Sequence, residues 1–521
     1  MSTTIKNPIL TGFNPDPCFL RVDDTYYIAT STFEYYPGVQ ISASKDLVNW
    51  KVVARPITID KEDLRGVPQG GGVWAPCLSY DGKKFYLVYS RISSWYDDPY
   101  KDVENYVITA DKIEGKWSKP TYLNSDGFDA SLFHDDDGKK YYMSVRWDYR
   151  KRGSENFSGI LLWEFDAKRK ALVSKPQVIF KGTDRGLVEA PHIYKHSGYY
   201  YLFTAEGGTS VEHAQTVARS KNIYGPYELH PFKHFITSYE TDKYLQKAGH
   251  GSMICDKDGN WYYAHLCGRK LCKGNCVLGR ETAIQNMEWK DGWPFLSNGT
   301  NNPSDTFTIP YDVVREKEKE LIEFNKYTLT NVFQSVRTPM DGKYKVVSPT
   351  EIEMTGGTSP RCRNDQSIFV VRQKDFVFHS EVELEFNPET FAHLAGLIYR
   401  YNEDNLYLIA MSYDEDKKKN CITLQRYMQG NIVFDERIDY IDGNKVIFTV
   451  DADYEKAKMG YKYNGKEVIF AEDIDTSYLS DESAYPMGFT GAFVGMYVGD
   501  FALHSKKAIF RNFIYIGKDE K

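Results

Sequence analysis

Asp16, Asp129 and His250 stand at corresponding places in copies of one repeated pattern, and Glu189 stands one residue before a further copy of that place. Carboxyl groups gathered from distant parts of a chain can divide the work of hydrolysis. One, ionised, takes a proton from water; another, protonated at the same pH, gives a proton to a leaving group. Their surroundings must push the two pKa values apart, and a third carboxylate beside the acid raises it further by like-charge repulsion. Taken singly, each residue has a plainer reading. Asn14-Pro15-Asp16-Pro17 equally suits a turn, Asp129 a strand cap, and Glu189 a surface charge, although Glu189 adjoins Ala190 and Pro191 between apolar segments.

The repeat is what would bring these residues together. Five segments resemble one another: DPCFLRVDDTYYIATS, APCLSYDGKKFYLVYS, DASLFHDDDGKKYYMSV, APHIYKHSGYYYLFTAE and HGSMICDKDGNWYYAHL. They begin at Asp16, Ala75, Asp129, Ala190 and His250, one every 54–61 residues. Each reads as an apolar strand, a turn rich in Asp, Gly or Ser, and an aromatic-rich strand, which is a hairpin signature. The second aromatic falls 11 residues on at Tyr27, Tyr86 and Tyr201, and 13 on at Tyr142 and Tyr263. Pieces such as ASKDLVNWKVV and TADKIEGKWSKP lie between the hairpins and bring the count to about four strands per repeat, as in a propeller blade. The repeats are too long for a parallel β-helix, and the 3.6-residue period of a helical solenoid is absent. The expectation is an all-β chain whose residues 1–310 form a five-bladed β-propeller. Its innermost strands line an axis, so corresponding residues of successive blades converge there.

Beyond residue 310 the pattern changes. VVREKEKELIEF is charged and reads as a linker or short helix, placed at 311–324. Residues 325–521 then carry period-2 strands separated by turns such as DGN and NGK, the pattern of a β-sandwich. A chain of 521 residues needs more than one core, so two domains suit its length.

Composition excludes other classes. The net charge is −7 with scattered basic residues, which argues against nucleic acid or an anionic membrane as partner. No apolar run is long enough to span a bilayer, and MSTTIKNPILTGF has none of the parts of a secretory signal, so a cytoplasmic location is expected. The eight cysteines then remain thiols. Cys267, Cys272 and Cys276, with Cys255 nearby, lack zinc-ligand spacing and read as ordinary thiols.

In these residues and their order the chain resembles glycoside hydrolase family 43, in its two-domain β-xylosidase and α-L-arabinofuranosidase branch. The resemblance runs nearly the full length, through GFNPDP, ATSTFEYYPGVQISASKDLVNW, GVWAP, GFDASLFHDDDGKKY, VEAPHIYK, TAEGGTS, GHGS, GRETAIQ, EWKDGWP and FTGAFVG. It implies a five-bladed propeller followed by a jelly-roll, lectin-like sandwich that closes the pocket. It also implies an inverting mechanism with Asp16 as general base, Glu189 as general acid, and Asp129 tuning the acid and orienting the sugar. Phe33 and Trp74 become aromatic walls, Arg280 a hydrogen-bond donor to sugar and carboxylates, and Phe489 a residue reaching in from the sandwich. His250 sits near the axis, where relatives sometimes hold calcium; no cofactor is required. The implied reaction is exo-acting release of xylose from the non-reducing ends of β-1,4-xylooligosaccharides, by a homo-oligomer (dimer or tetramer). Predominant α-L-arabinofuranosidase activity, or a non-catalytic carbohydrate-binding propeller, is the alternative. The chain departs from the family at Glu189-Ala190-Pro191-His192, where relatives read EGPH, and in a shorter loop over 268–279.

Overall fold

The structure, a computed structural model, describes residues 2–96, 99–317 and 319–519. Among these, five antiparallel sheets of four or five strands follow one another along the chain. Their first and last strands are Cys18–Val22 and Lys51–Ala54, Gly72–Tyr80 and Thr121–Asn124, Ser131–His134 and Gln177–Phe180, Glu189–His196 and Glu228–Thr237, and Gln246–Cys255 and Trp293–Leu296. Strands at the inner edge of each sheet touch those of the next, and the first sheet meets the fifth, so the ring closes as a five-bladed propeller. The aromatic register explains the stacking. Tyr142, Tyr201 and Tyr263 lie on the second strands of their blades and are wholly buried. Large flat side chains there fill the wedge between twisted sheets.

The two ends of the ring are fastened. Thr3–Lys6 pairs antiparallel with Thr306–Ile309. Asn7 then copies a strand with its side chain, donating to the Ile284 carbonyl at 2.7 Å and accepting from the Ile284 amide at 2.9 Å.

Two seven-stranded antiparallel sheets form the second domain. Val377–Phe386 shows the expected alternation, with Phe378, Val382, Leu384 and Phe386 facing the shared core. The charged stretch 313–324 contains no helix among its described residues. A helix begins after it, at Lys326–Asn331, because Asn325 and Thr328 form a reciprocal cap. Lys, Thr and Asn dominate that segment, so no apolar period announced it.

The domains are joined by more than the linker. Tyr35–Tyr36 of the first blade pairs with Ser335–Val336. Beside this ladder Arg337, wholly buried, donates through Nε to the Val67 carbonyl at 2.6 Å and through Nη1 to Glu403.

Candidate active site

The five register positions share a backbone feature. Asp16, Ala75, Asp129, Ala190 and His250 all have positive φ, at 55°, 33°, 53°, 51° and 41°. Left-handed backbone at a residue other than glycine is costly and concentrates at functional sites. Here it acts as a repeated kink. The strand ladders are irregular across it, between Trp74 and Cys77, Glu189 and His192, and Gly249 and Gly251. Such bulges re-aim a side chain at the end of a strand. Trp74 and Glu189 each immediately precede a kink, and Asp16, Asp129 and His250 occupy one.

At the centre of the cluster is Asp16. Its Oδ2 accepts from the Ser31 hydroxyl at 2.6 Å, and its Oδ1 accepts from Arg280 Nη1 at 3.0 Å. His250 Nδ1 lies 3.4 Å from the same Oδ1. Burial alone would raise the pKa of Asp16, but Arg280, His250, Ser31 and His213 outweigh it and hold the carboxyl below its ordinary value. Burial keeps the imidazoles neutral, pushing His250 down to about 4 and His213 to about 3.

Glu189 goes the other way. It retains some solvent contact, yet protein surrounds the carboxyl closely enough for burial to lead. Burial raises it to about 7; Lys101 and Arg280 pull it down and Asp16 pushes it up. Asp129 is raised as well, by burial first and then by Glu189 and Asp16. One carboxyl is therefore held ionised beside a pair that retains a proton toward neutrality, the asymmetry that acid–base hydrolysis requires.

Lys101 was not singled out from sequence. Its ammonium lies 4.5 Å from the ring centres of Phe128 and Trp147 and 5.1 Å from that of Trp74. Burial lowers it to about 8 against the attraction of Glu189 and Asp129. It sits on the connection between two strands of the second blade, outside the repeat register, so no spacing pointed to it. Ser31 and Thr209 were equally unmarked, although both lie in the motifs ATSTF and TAEGGTS.

Aromatic rings close the site. Phe33 and Phe489 are stacked, 5.4 Å apart and 13° from parallel, and Trp74 meets Phe489 edge-on at 5.3 Å. Phe489 comes from the second domain. Arg280 holds it in place, donating through Nη2 to the Phe489 carbonyl at 3.1 Å and through Nη1 to Thr209 Oγ1 at 2.8 Å. Glycines permit the approach: a Cβ on Gly279 would lie 1.9 Å from the Thr490 carbonyl oxygen, and one on Gly72 2.2 Å from that of Phe33. The structure thus brings together Asp16, Asp129, Glu189, Phe33, Trp74, Arg280, His250 and Phe489. The loop 268–279 lies at the same border, with Asn275 Nδ2 donating to Ser480 Oγ at 2.9 Å.

The surroundings of His250 suit calcium poorly. That ion takes six to eight oxygen ligands, whereas His250 is flanked by the imidazoles of His213 and His192 and by Arg280. Asp16, the carboxylate beside it, is already engaged by Arg280 and Ser31.

A family model described as glycosyl hydrolases family 43 matches residues 5–294, and one described as beta xylosidase C-terminal concanavalin A-like domain matches 322–516. A beta-xylosidase of Bacillus subtilis (strain 168) is 42% identical, covering 98% of this chain and 99% of its own. The xylosidase/arabinosidase 43B of Humicola insolens is also 42% identical, over 98% of this chain and 97% of its own. The crystal structure of xylan beta-1,4-xylosidase from Bacillus halodurans C-125 superposes with a TM-score of 0.95 at 41% identity, over 98% of this chain and all of that one. With both domains matched in order and the carboxylates gathered at the propeller axis, the chain belongs to glycosyl hydrolase family 43.

Proposed function

We propose that the protein is an exo-acting, inverting β-xylosidase that releases xylose from the non-reducing ends of β-1,4-xylooligosaccharides. The observation that carries this reading is the opposed titration of Asp16 and Glu189 within one enclosed, aromatic-walled site. Asp16, ionised, takes a proton from a water molecule as the water oxygen attacks the anomeric carbon. Glu189 delivers its proton to the glycosidic oxygen on the opposite face as the C–O bond breaks. The anomeric centre inverts, so a β-xyloside yields α-xylose, and exchange with solvent returns both carboxyls to their starting states. Asp129, whose own carboxyl the neighbouring Glu189 charge helps to keep protonated, is left to orient the sugar; Arg280 keeps Asp16 ionised. Phe33, Trp74 and Phe489 enclose the sugar in apolar walls, which suits a single terminal residue rather than a polymer running through.

Glu189→Gln and Asp16→Asn should each lower xylobiose turnover roughly 10²- to 10⁴-fold, the usual worth of a general acid or base. Unchanged turnover in either variant removes that residue from the mechanism. Proton NMR of the first product should show the α-anomer; β-xylose appearing first would rule out inversion. A predominantly α-L-arabinofuranosidase activity is the second reading, favoured by the likeness to the xylosidase/arabinosidase of Humicola insolens. Turnover of aryl xyloside against aryl arabinofuranoside decides between them.

A further inference from the structure

Two residues beyond each kink of the propeller lies a second ring of side chains: Cys18, Cys77, Ser131, His192 and Ser252, one from each blade. The serines fasten neighbouring blades. Ser131 Oγ donates to the Pro191 carbonyl at 2.5 Å and Ser252 Oγ to the Pro17 carbonyl at 2.8 Å. The other three behave differently. Cys18, Cys77 and His192 turn their ligand atoms toward one another, all within 4.8 Å. They come from the first, second and fourth blades, so only closure of the ring assembles them.

The chemistry of this trio is that of a soft cation site. Zinc prefers thiolate and imidazole donors, at ~2.3 Å for sulfur and ~2.0 Å for nitrogen. Donors around one tetrahedral ion are then roughly 3.3–3.8 Å apart, so small side-chain rotations close this trio onto an ion. Two thiolates also cancel the charge of a divalent ion, so the complex can be buried without a net charge. Backbone amides already face the sulfurs: the Leu78 N–H lies 3.2 Å from Cys18 Sγ, and the Leu132 N–H is directed at Cys77. These amides favour the thiolate at Cys77; at Cys18 the Cys77 sulfur and burial favour the thiol, whose proton a bound metal would displace. Cys18 and Cys77 are buried, whereas His192, on an innermost strand, keeps partial exposure.

We infer that Cys18, Cys77 and His192 form a binding site for a thiophilic divalent cation, zinc by its donor preference, with water as fourth ligand, tying three blades together behind the catalytic carboxylates. It is separate from His250, which lies one ring nearer the carboxylates. Binding releases the thiol protons and, because the unfolded chain cannot assemble the trio, stabilises the native state.

Cobalt(II) reports such a site by colour. The reduced protein, freed of metal and reductant and kept anaerobic, is titrated with cobalt chloride. One equivalent per chain should produce thiolate-to-cobalt charge-transfer absorption with the intense visible bands of four-coordination, and zinc chloride should displace it. Cys77→Ser should abolish the charge-transfer band or reduce it at least tenfold, whereas Cys272→Ser, at an exposed thiol, should leave it intact. No band in the unaltered protein, or a band that survives Cys77→Ser, overturns the inference. A second measurement does not depend on variants folding: crystals of the unaltered protein soaked in zinc chloride are measured at the zinc absorption edge. An anomalous peak between Cys18, Cys77 and His192 is expected; its absence there, with or without a peak at Cys272, overturns the site.

Discussion

At the scale of single residues, the site works through differences between chemically similar groups. Asp16 and Glu189 are both enclosed, but Asp16 has a guanidinium and a hydroxyl on its oxygens, whereas Glu189 has Lys101 as its principal cation. The pH dependence follows. Activity needs Asp16 ionised, so it falls as pH drops through a pKa below the ordinary aspartate value; it needs Glu189 protonated, so it falls as pH rises through about 7. Lys101 lowers the Glu189 pKa, and removing its charge favours the protonated acid. Lys101→Met should therefore move the alkaline limb of kcat/KM to higher pH while leaving the acid limb in place. An alkaline limb that stays put, or moves down, would show that Lys101 does not act on Glu189.

Elements determine where those residues point. Five left-handed kinks at matching positions swing Asp16, Asp129 and His250, with Glu189 beside one of them, toward the axis. Arg280 is positioned from behind by Gly279, whose φ is 72° and whose missing Cβ admits the Thr490 carbonyl. Gly279→Ala should separate Arg280 from Phe489, raising KM for xylobiose at least tenfold and lowering the melting temperature. A variant with unaltered KM would contradict that account. The blades were legible in the sequence because turn residues and aromatics recur in register, and Asp16 and Asp129 could be picked out from the repeat. Glu189 could not, since it lies one place off the register and needed the family motif VEAPH. The kinks themselves were hidden: Ala75 and Ala190 carry no left-handed preference, so the tertiary ring imposes a conformation that their types do not advertise. Lys101 was hidden because it belongs to the connection between the second and third strands of its blade, outside the repeated hairpins. Cys18 and Cys77 stand in two of the repeats, but sequence separation conceals that blade closure makes them neighbours of His192.

For the whole molecule, the border between domains carries two carboxylates that respond oppositely to pH. Burial would raise Glu403, but Arg337 and Arg400 hold it down at about 2; burial raises Glu34 to about 7 despite Arg337. For Glu403 the folded pKa is depressed, so its contribution is present above about 4.5 and lost as pH falls toward 2. For Glu34 the folded pKa is raised, so stability declines as pH rises from about 4.5 to about 7, by about 3 kcal/mol if the whole shift is realised. Glu34→Gln should thus be more stable than the parent at pH 8, with the advantage shrinking toward pH 4.5; thermal unfolding at the two pH values tests this, and an advantage that does not shrink would refute it. Elsewhere on the sandwich, Phe391, Phe501 and Leu503 are exposed at 75%, 46% and 82%. The Phe501 amide donates to the Ala392 carbonyl at 3.0 Å, which places the first two side by side. Exposed apolar side chains grouped in this way are the usual mark of a contact surface. The bond from Arg280 to the Phe489 carbonyl crosses between the domains. Because the cation that keeps the base ionised also leans on Phe489 of the second domain, a propeller folded by itself has its carboxylates but not their full setting, and the sandwich belongs to the acid–base machinery as well as to the wall of the pocket.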